Sequence, residues 1–223
     1  MLETARGEIV PDQHNGSLPR HRHNLTREQV ESSQSARIIN AAIELFGTEG
    51  YAATTVMDIV KRAGVSRKTF YEMFESKEAV VVAAYRAFDR FLRDAGVAAS
   101  SAESSTDPAD LRGIMRSLLT LLSYNPAAAR LFFLEVLGAG DEVRRRRDAA
   151  IEQFTTTITP RLQQLRRELS PRLPELESGV VRILVGGGVE MIAHHLVHHT
   201  ADTLPDLTDE ISRVVLMIVA PTI

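Results

Sequence analysis

The sequence predicts an all-α fold of about nine helices, an N-terminal three-helix unit followed by a larger helical body. Three observations carry this. Apolar residues recur at helical spacing from about Arg27 to near the end of the chain. Alternating β-branched runs are nearly absent, and the only Asn-Gly pair, Asn15-Gly16, precedes the periodic region. Capping residues, glycines and prolines fall where helices of ordinary length should start and stop.

The elements follow in order. Residues 1–25 carry Pro11, Gly16, Pro19 and a His21-Arg22-His23 cluster without an apolar period. They read as an unstructured tail or as a basic arm. A first helix is expected from about Arg27 to Phe46, where Ile39, Ile43 and Phe46 stand at i, i+4 and i+7; Gly47 and Gly50 punctuate its end. A second runs from about Thr55 to Ala63. Thr54 and Thr55 are its cap candidates, Asp58 completes a capping box, and Val56, Ile59, Val60 and Ala63 share a face. Gly64 follows. Ser66 caps a third helix to about Phe74, and Ser76 caps a fourth, about Lys77 to Ala95. Ala98 to Asp107 is expected to loop. Asp107-Pro108 and Asn125-Pro126 each set a capping residue before a helix-opening proline, predicting helices of about Ala109 to Tyr124 and Ala127 to Leu137. Beyond Gly138-Ala139-Gly140 lies a long helix, about Asp141 to Leu169, with a kink expected at Pro160. The last two helices are expected over about Glu175 to His199 and Leu207 to Val219.

Composition narrows the class. With 223 residues, 44% hydrophobic and 25% charged, the chain can bury a real core. It has no cysteine, which excludes disulfides, thiolate metal sites and cysteine redox sensing. The first ten residues lack an apolar signal core, and the most apolar stretch, Val180 to Val197, is interrupted by Arg182, Glu190, His194 and His195. A cytoplasmic protein with no membrane partner is therefore expected. The net charge of −3 argues against a non-specific nucleic-acid coat. Charge is nonetheless uneven: nine Lys/Arg against seven Asp/Glu from Arg20 to Lys77, then sixteen against nineteen to the end. The expected division is a tail over 1–25, a helix-turn-helix unit over 26–76 and a helical body over 77–223.

The second and third helices carry the chemistry. Gly64 permits a tight turn and Ala63 a close crossing, and Val65, Phe70 and Phe74 can face inward against Ile59 and Ile43. Ser66, Arg67, Lys68, Thr69 and Tyr71 are then left outside. The first turn of such a helix reaches base edges in a major groove. Arg67 and Lys68 can donate to guanine O6 and N7, and Ser66, Thr69 and Tyr71 to bases or phosphates. Thr54 and Thr55, with free N–H groups of the second helix, suggest a phosphate site, and Lys77 another.

The runs Thr54-Thr55-Val56-Met57-Asp58-Ile59-Val60-Lys61-Arg62-Ala63-Gly64-Val65-Ser66 and Thr69-Phe70-Tyr71-Glu72-Met73-Phe74-Glu75-Ser76-Lys77-Glu78 resemble the TetR family of bacterial regulators. So does Ala41-Ala42-Ile43-Glu44-Leu45-Phe46-Gly47-Thr48-Glu49-Gly50-Tyr51 upstream. The resemblance covers about fifty residues. It implies an all-α homodimer on double-stranded operator DNA, mostly a repressor released by a small molecule. It implies phosphate contacts at Thr54 or Thr55, Tyr71 and Lys77, and base reading at Ser66, Arg67 and Lys68. The family often has Gly or Ala where Lys68 stands, so the operator is harder to infer.

The body is less explicit. Leu176, Val180, Leu184, Gly187 and Met191 step along one face, as do Ile211, Val215 and Ile218; both are expected to form the dimer interface of a four-helix bundle. Gly186-Gly187-Gly188 reads as close helix approach or as a kink. By the resemblance a pocket lies among the middle helices. Met115, Leu119, Leu122, Tyr124, Phe132, Phe133, Phe154 and Ile158 are candidates for its lining or for ordinary core, suggesting a mainly apolar effector of unknown identity. His194, His195, His198 and His199 form two i, i+4 pairs, read as surface histidines or a zinc hook. Arg144 to Arg147 reads as a solvated run. No nucleophile elbow, P-loop, dinucleotide fingerprint or His-Glu-x-x-His occurs. Neither an enzyme nor a resident cofactor or metal is expected.

Overall fold

The computed structural model describes residues 26–100 and 108–221, so the expectations for the tail and most of the 98–107 loop lie outside the described residues. Among those described there are nine α-helices and no strand. The first three are α1 (Arg27–Glu49), α2 (Val56–Ala63) and α3 (Arg67–Met73). The body comprises α4 (Lys77–Ser100), α5 (Pro108–Ser123), α6 (Pro126–Phe133), α7 (Asp141–Leu169), α8 (Ser178–His198) and α9 (Thr208–Val219).

Local chemistry sets the ends. Thr26 caps α1 through a reciprocal pair of bonds with Gln29, and Gly50 closes it at φ 92°. Asn125 accepts from Ala128 N to start α6. That helix stops at Phe133, earlier than the sequence implies, and continues as a 3-10 turn over Glu135–Gly138. The start of α8 is later than expected. Leu176 is buried outside the helix, and the Gln163 amide both accepts from Leu176 N (2.9 Å) and donates to Leu176 O (2.7 Å). Its backbone groups are satisfied without a helix. The long α7 runs through Pro160 as one helix, although the ring removes one backbone donor.

A continuous core runs through both regions. Ile38, Phe46, Ile59 and Phe70 are fully buried around α1–α3, as are Leu119, Leu131, Val136, Val143 and Leu204 in the body. The three-helix unit is locked to the body at α6. Gly47 of α1 faces the Ala127 backbone so closely that a Cβ there would lie 2.1 Å from Ala127 O. Arg130 of α6 then donates to two carbonyls at once: Gly47 O at the end of α1 (3.2 Å) and Leu196 O near the end of α8 (3.1 Å). The Glu135 carboxylate accepts from Tyr51 N (3.1 Å). Helix α6 is thus a strut between the N-terminal unit and the last long helix.

Candidate nucleic-acid interface

The α2–α3 turn is built as its residues imply. Thr55 caps α2 by accepting from Asp58 N, and the Asp58 carboxylate accepts from Thr55 N (2.9 Å) and Oγ1 (2.6 Å). Those bonds hold the Asp58 carboxyl below its ordinary range. Gly64 sits in the left-handed region at φ 63°, and its N–H and that of Val65 return to Lys61 O and Val60 O. Arg62 ion-pairs with Glu44, fastening α2 to α1. Ser66 caps α3 by accepting from Thr69 N (3.0 Å), and its hydroxyl meets the Thr69 hydroxyl at 2.8 Å.

Helix α3 is then divided into two edges. Phe70 is 0% exposed and touches Phe74 and Tyr71 ring to ring. Val65 and Phe74 are half-buried against the core. Arg67, Lys68 and Tyr71 point out, Tyr71 half exposed. Lys68 makes a loose exposed pair with Glu72 at 3.7 Å, worth little in water. Arg67 forms no ion pair among the described residues.

Two expectations need correction. Thr54 is 1% exposed, and its hydroxyl donates to Gly50 O (2.8 Å). It is a turn residue, closed to a phosphate. Lys77 is half-buried, and its ammonium donates to Tyr51 O (2.8 Å) and Thr54 O (3.0 Å) while lying 4.2 Å from the Tyr51 ring centroid. It braces that turn instead of reaching outward. Burial, then Glu78, pushes the Tyr51 phenol up to about 12, keeping it neutral beneath the cation. Thr55 remains exposed, with its hydroxyl engaged in the cap.

The family model for bacterial regulatory proteins of the tetR family matches residues 38–84, from mid-α1 into α4. Over those residues the N-terminal unit is similar to that family. Curated relatives extend the likeness beyond it. The HTH-type transcriptional regulator BetI of Rhizobium meliloti is 30% identical over 118 residues, 52% of this chain and 58% of its own. YerO of Bacillus subtilis, also an HTH-type regulator, is 42% identical over 53 residues, 24% of this chain and 18% of its own. The chain thus spans less than two thirds of these relatives' lengths. Among solved structures, the fatty acid degradation regulator FadR of Bacillus halodurans superposes with a TM-score of 0.70 at 20% identity, covering 82% of this chain and 94% of that one. FadR of Bacillus subtilis, in complex with stearoyl-CoA, gives 0.68 at 18%, covering 84% and 98%. At such identities these structures show a shared fold.

On the body, the sequence-derived faces are buried or half-buried except at Gly187. Leu176, Ile211 and Val215 are buried within the chain, while Val180, Leu184, Met191 and Ile218 pack partly against its core. Each contributes to the core of the single chain, wholly or in part. The bare apolar face lies on the other side of the same helices: Ile183 (72% exposed) and Val197 on α8, Val214 and Met217 (65%) on α9. Ile183, Gly187, Glu190, His194 and Val197 follow at four- and three-residue steps, one stripe of α8. This two-sided character makes Ser178–His198 long and apolar enough to cross a membrane by length and composition, although it packs on α6 and α7. A Cβ at Gly186, Gly187 or Gly188 would meet nothing within 4 Å, so no close approach within the chain requires those glycines.

Of the pocket candidates, Leu119, Leu122 and Phe132 are buried core, while Met115, Tyr124, Phe133, Phe154 and Ile158 are half-buried. The arginine run is not uniformly solvated. Arg144 and Arg145 make exposed pairs with Asp141 and Glu142, but Arg146 and Arg147 turn inward.

The histidines pair as their spacing implies, with ring centroids 4.6 Å apart for His194–His198 and 4.8 Å for His195–His199. His195 is buried, and its Nε2 lies 2.8 Å from Thr203 Oγ1, tying α8 to the following 3-10 segment, Ala201–Leu207. Burial first, then His199, holds His195 below its ordinary 6.5, against an opposing pull from Asp206. The folded state thus favours the neutral ring. The unfolded chain binds the proton more readily, so His195's contribution is present above about pH 6.5 and is lost as pH falls through the lowered folded value. Thermal melts between about pH 7.5 and 5.5 should show falling stability, with a shallower slope for His195→Gln.

Proposed function

We propose that this chain is a sequence-specific DNA-binding transcription regulator that acts in the cytoplasm as a homodimer. Its operator is read by α3, and a small, mainly apolar ligand releases it, making it a repressor. The observation that carries the DNA reading is the division of α3. Phe70 anchors it at 0% exposure while Arg67, Lys68 and Tyr71 stand exposed on the opposite edge. A planar guanidinium there can take guanine O6 and N7 together. Tyr71, Ser66 and Thr69 serve as phosphate or base partners, and Val65 sits beside them for apolar contact. Thr55 and the first N–H groups of α2 offer a weaker anion contact, because Asp58 already brings a carboxylate to that end.

The dimer rests on the bare side chains Ile183 and Val197 of α8 and Val214 and Met217 of α9. Large apolar side chains left bare on two helices of one body mark an association surface. A two-fold contact there supplies two reading heads for a two-part site. The apolar effector draws support from the aromatic interior and from the likeness to FadR of Bacillus subtilis, whose stearoyl-CoA carries a long apolar chain.

Selecting bound duplexes from a random pool tests the reading. On the selected site, Arg67→Ala is expected to cost about 1–3 kcal/mol and to relax base preference. Affinity of the unaltered protein should fall steeply with salt, as phosphate contacts require. Unchanged affinity for the Arg67→Ala protein in an anisotropy titration would remove α3 from the role.

A further inference from the structure

The four histidines at the end of α8 divide into two pairs. His195 is engaged within the chain: it is buried, its Nε2 lies 2.8 Å from Thr203 Oγ1, and the His199 ring stands against it. His194 and His198 are exposed, and neither makes a hydrogen bond or an ion pair among the described residues. Their rings stand one helical turn apart, with centroids separated by 4.6 Å and planes at 54°.

Two imidazoles at i and i+4 on one helical face are an arrangement with which helices hold zinc. Zinc–nitrogen bonds of about 2.0–2.1 Å in a tetrahedron put the centroids of two ligating rings about 5 Å apart. The observed pair is already close to that separation. One chain goes no further, since no group of three or more His, Asp or Glu side chains among the described residues could hold a metal ion. A structural zinc site takes four ligands. A single chain offers two, which is why the sequence predicts no metal, and a second copy doubles the number.

Val197 places the pair on the contact surface. It stands between the two histidines in sequence and is 62% exposed, one of the bare side chains on which the dimer rests. His194 shares its stripe of α8. A contact that covers Val197 also takes the neighbouring imidazoles out of water, which is costly unless their nitrogens find partners. A two-fold contact presents the same groups from both sides. Four imidazoles then converge, and a cation between them satisfies all four.

We propose that His194 and His198 of two copies together bind one zinc-class divalent cation at the two-fold contact, a metal site that neither chain completes alone. Imidazole suits such cations, whereas magnesium prefers oxygen ligands. The site rests on the homodimer reading and adds to it an inorganic ligand that bridges the copies and strengthens their association.

The full chain, prepared without a histidine tag and stripped with EDTA, is titrated with ZnCl2 by calorimetry. Sedimentation velocity reads its mass with and without the metal. One zinc per two chains is expected, with the equilibrium shifted toward dimer, and MgCl2 should not bind. His194→Ala and His198→Ala should each weaken zinc by at least about 100-fold, since losing even an outer partner of a metal ligand costs about 10–100-fold. Both side chains are exposed, so far-UV circular dichroism should stay unchanged in these variants. His199→Ala should bind zinc as the unaltered chain does. One zinc per chain, binding that survives in His194→Ala, or equal weakening by His199→Ala would overturn the site. A stripped chain that is dimeric but takes up no zinc would defeat the site and keep the homodimer reading. A chain that stays monomeric at every zinc concentration would defeat both.

Discussion

The double variant Ile183→Glu, Met217→Glu is expected to run as a monomer at micromolar concentration and to lose operator binding. Both side chains are among the most exposed large apolar groups of the described residues, one on α8 and one on α9. Two carboxylates at these positions would have to be buried unpaired at a two-fold contact, and each would meet its own copy's apolar surface. The monomer should keep its fold, because neither side chain contributes to the core. Far-UV circular dichroism should therefore be unchanged while sedimentation velocity shows half the mass. Tethering two reading heads raises avidity by roughly 10²–10⁴ without any new contact, so operator affinity should fall by a factor in that range. A variant that stays dimeric would place the interface elsewhere.

Gly47→Ala is expected to be strongly destabilising, and unusually so for the smallest possible addition. The new Cβ would lie 2.1 Å from Ala127 O and 2.5 Å from Ala127 Cα. These are backbone atoms, so no rotamer change relieves the clash and α1 must move away from α6. Overpacking of this kind costs about 1–3 kcal/mol or more. At the upper end that is roughly 6–12 °C in Tm for a chain of this size. The Arg130 bond to Gly47 O would stretch with it. Gly113→Ala supplies the contrast, since its Cβ would meet nothing within 4 Å on α5. There the usual helix-interior gain of about 0.5–1 kcal/mol should appear. A Gly47→Ala protein as stable as the unaltered one in a thermal melt would mean that α6 does not clamp the N-terminal unit.

The sequence made α1 to α3 legible because each signal there is local. A cap, a glycine at positive φ and an apolar face lie within a few residues of one another at Thr55, Gly64 and Phe70. The exposed edge of α3 follows once Phe70 is placed inside. Thr54 and Lys77 were not legible in the same way. Their polar groups are spent on carbonyls of the 50–54 turn, a contact between elements that no spacing encodes. Arg146 and Arg147 likewise look like any solvated run until α4 brings Asp89 beside them.

By itself the sequence determined the all-α class, most of the helix boundaries and the exposed polar edge of α3, since capping, turn geometry and periodicity act over one or two turns. Only the tertiary structure decided which side of α8 and α9 faces outward. Those helices are apolar on both sides, so Val180, Leu184, Ile211 and Val215 could not be told from Ile183, Val214 and Met217 by pattern. The choice is made by the packing of α8 on α6 and α7 and of α9 on α5, which buries one apolar face and leaves the other bare.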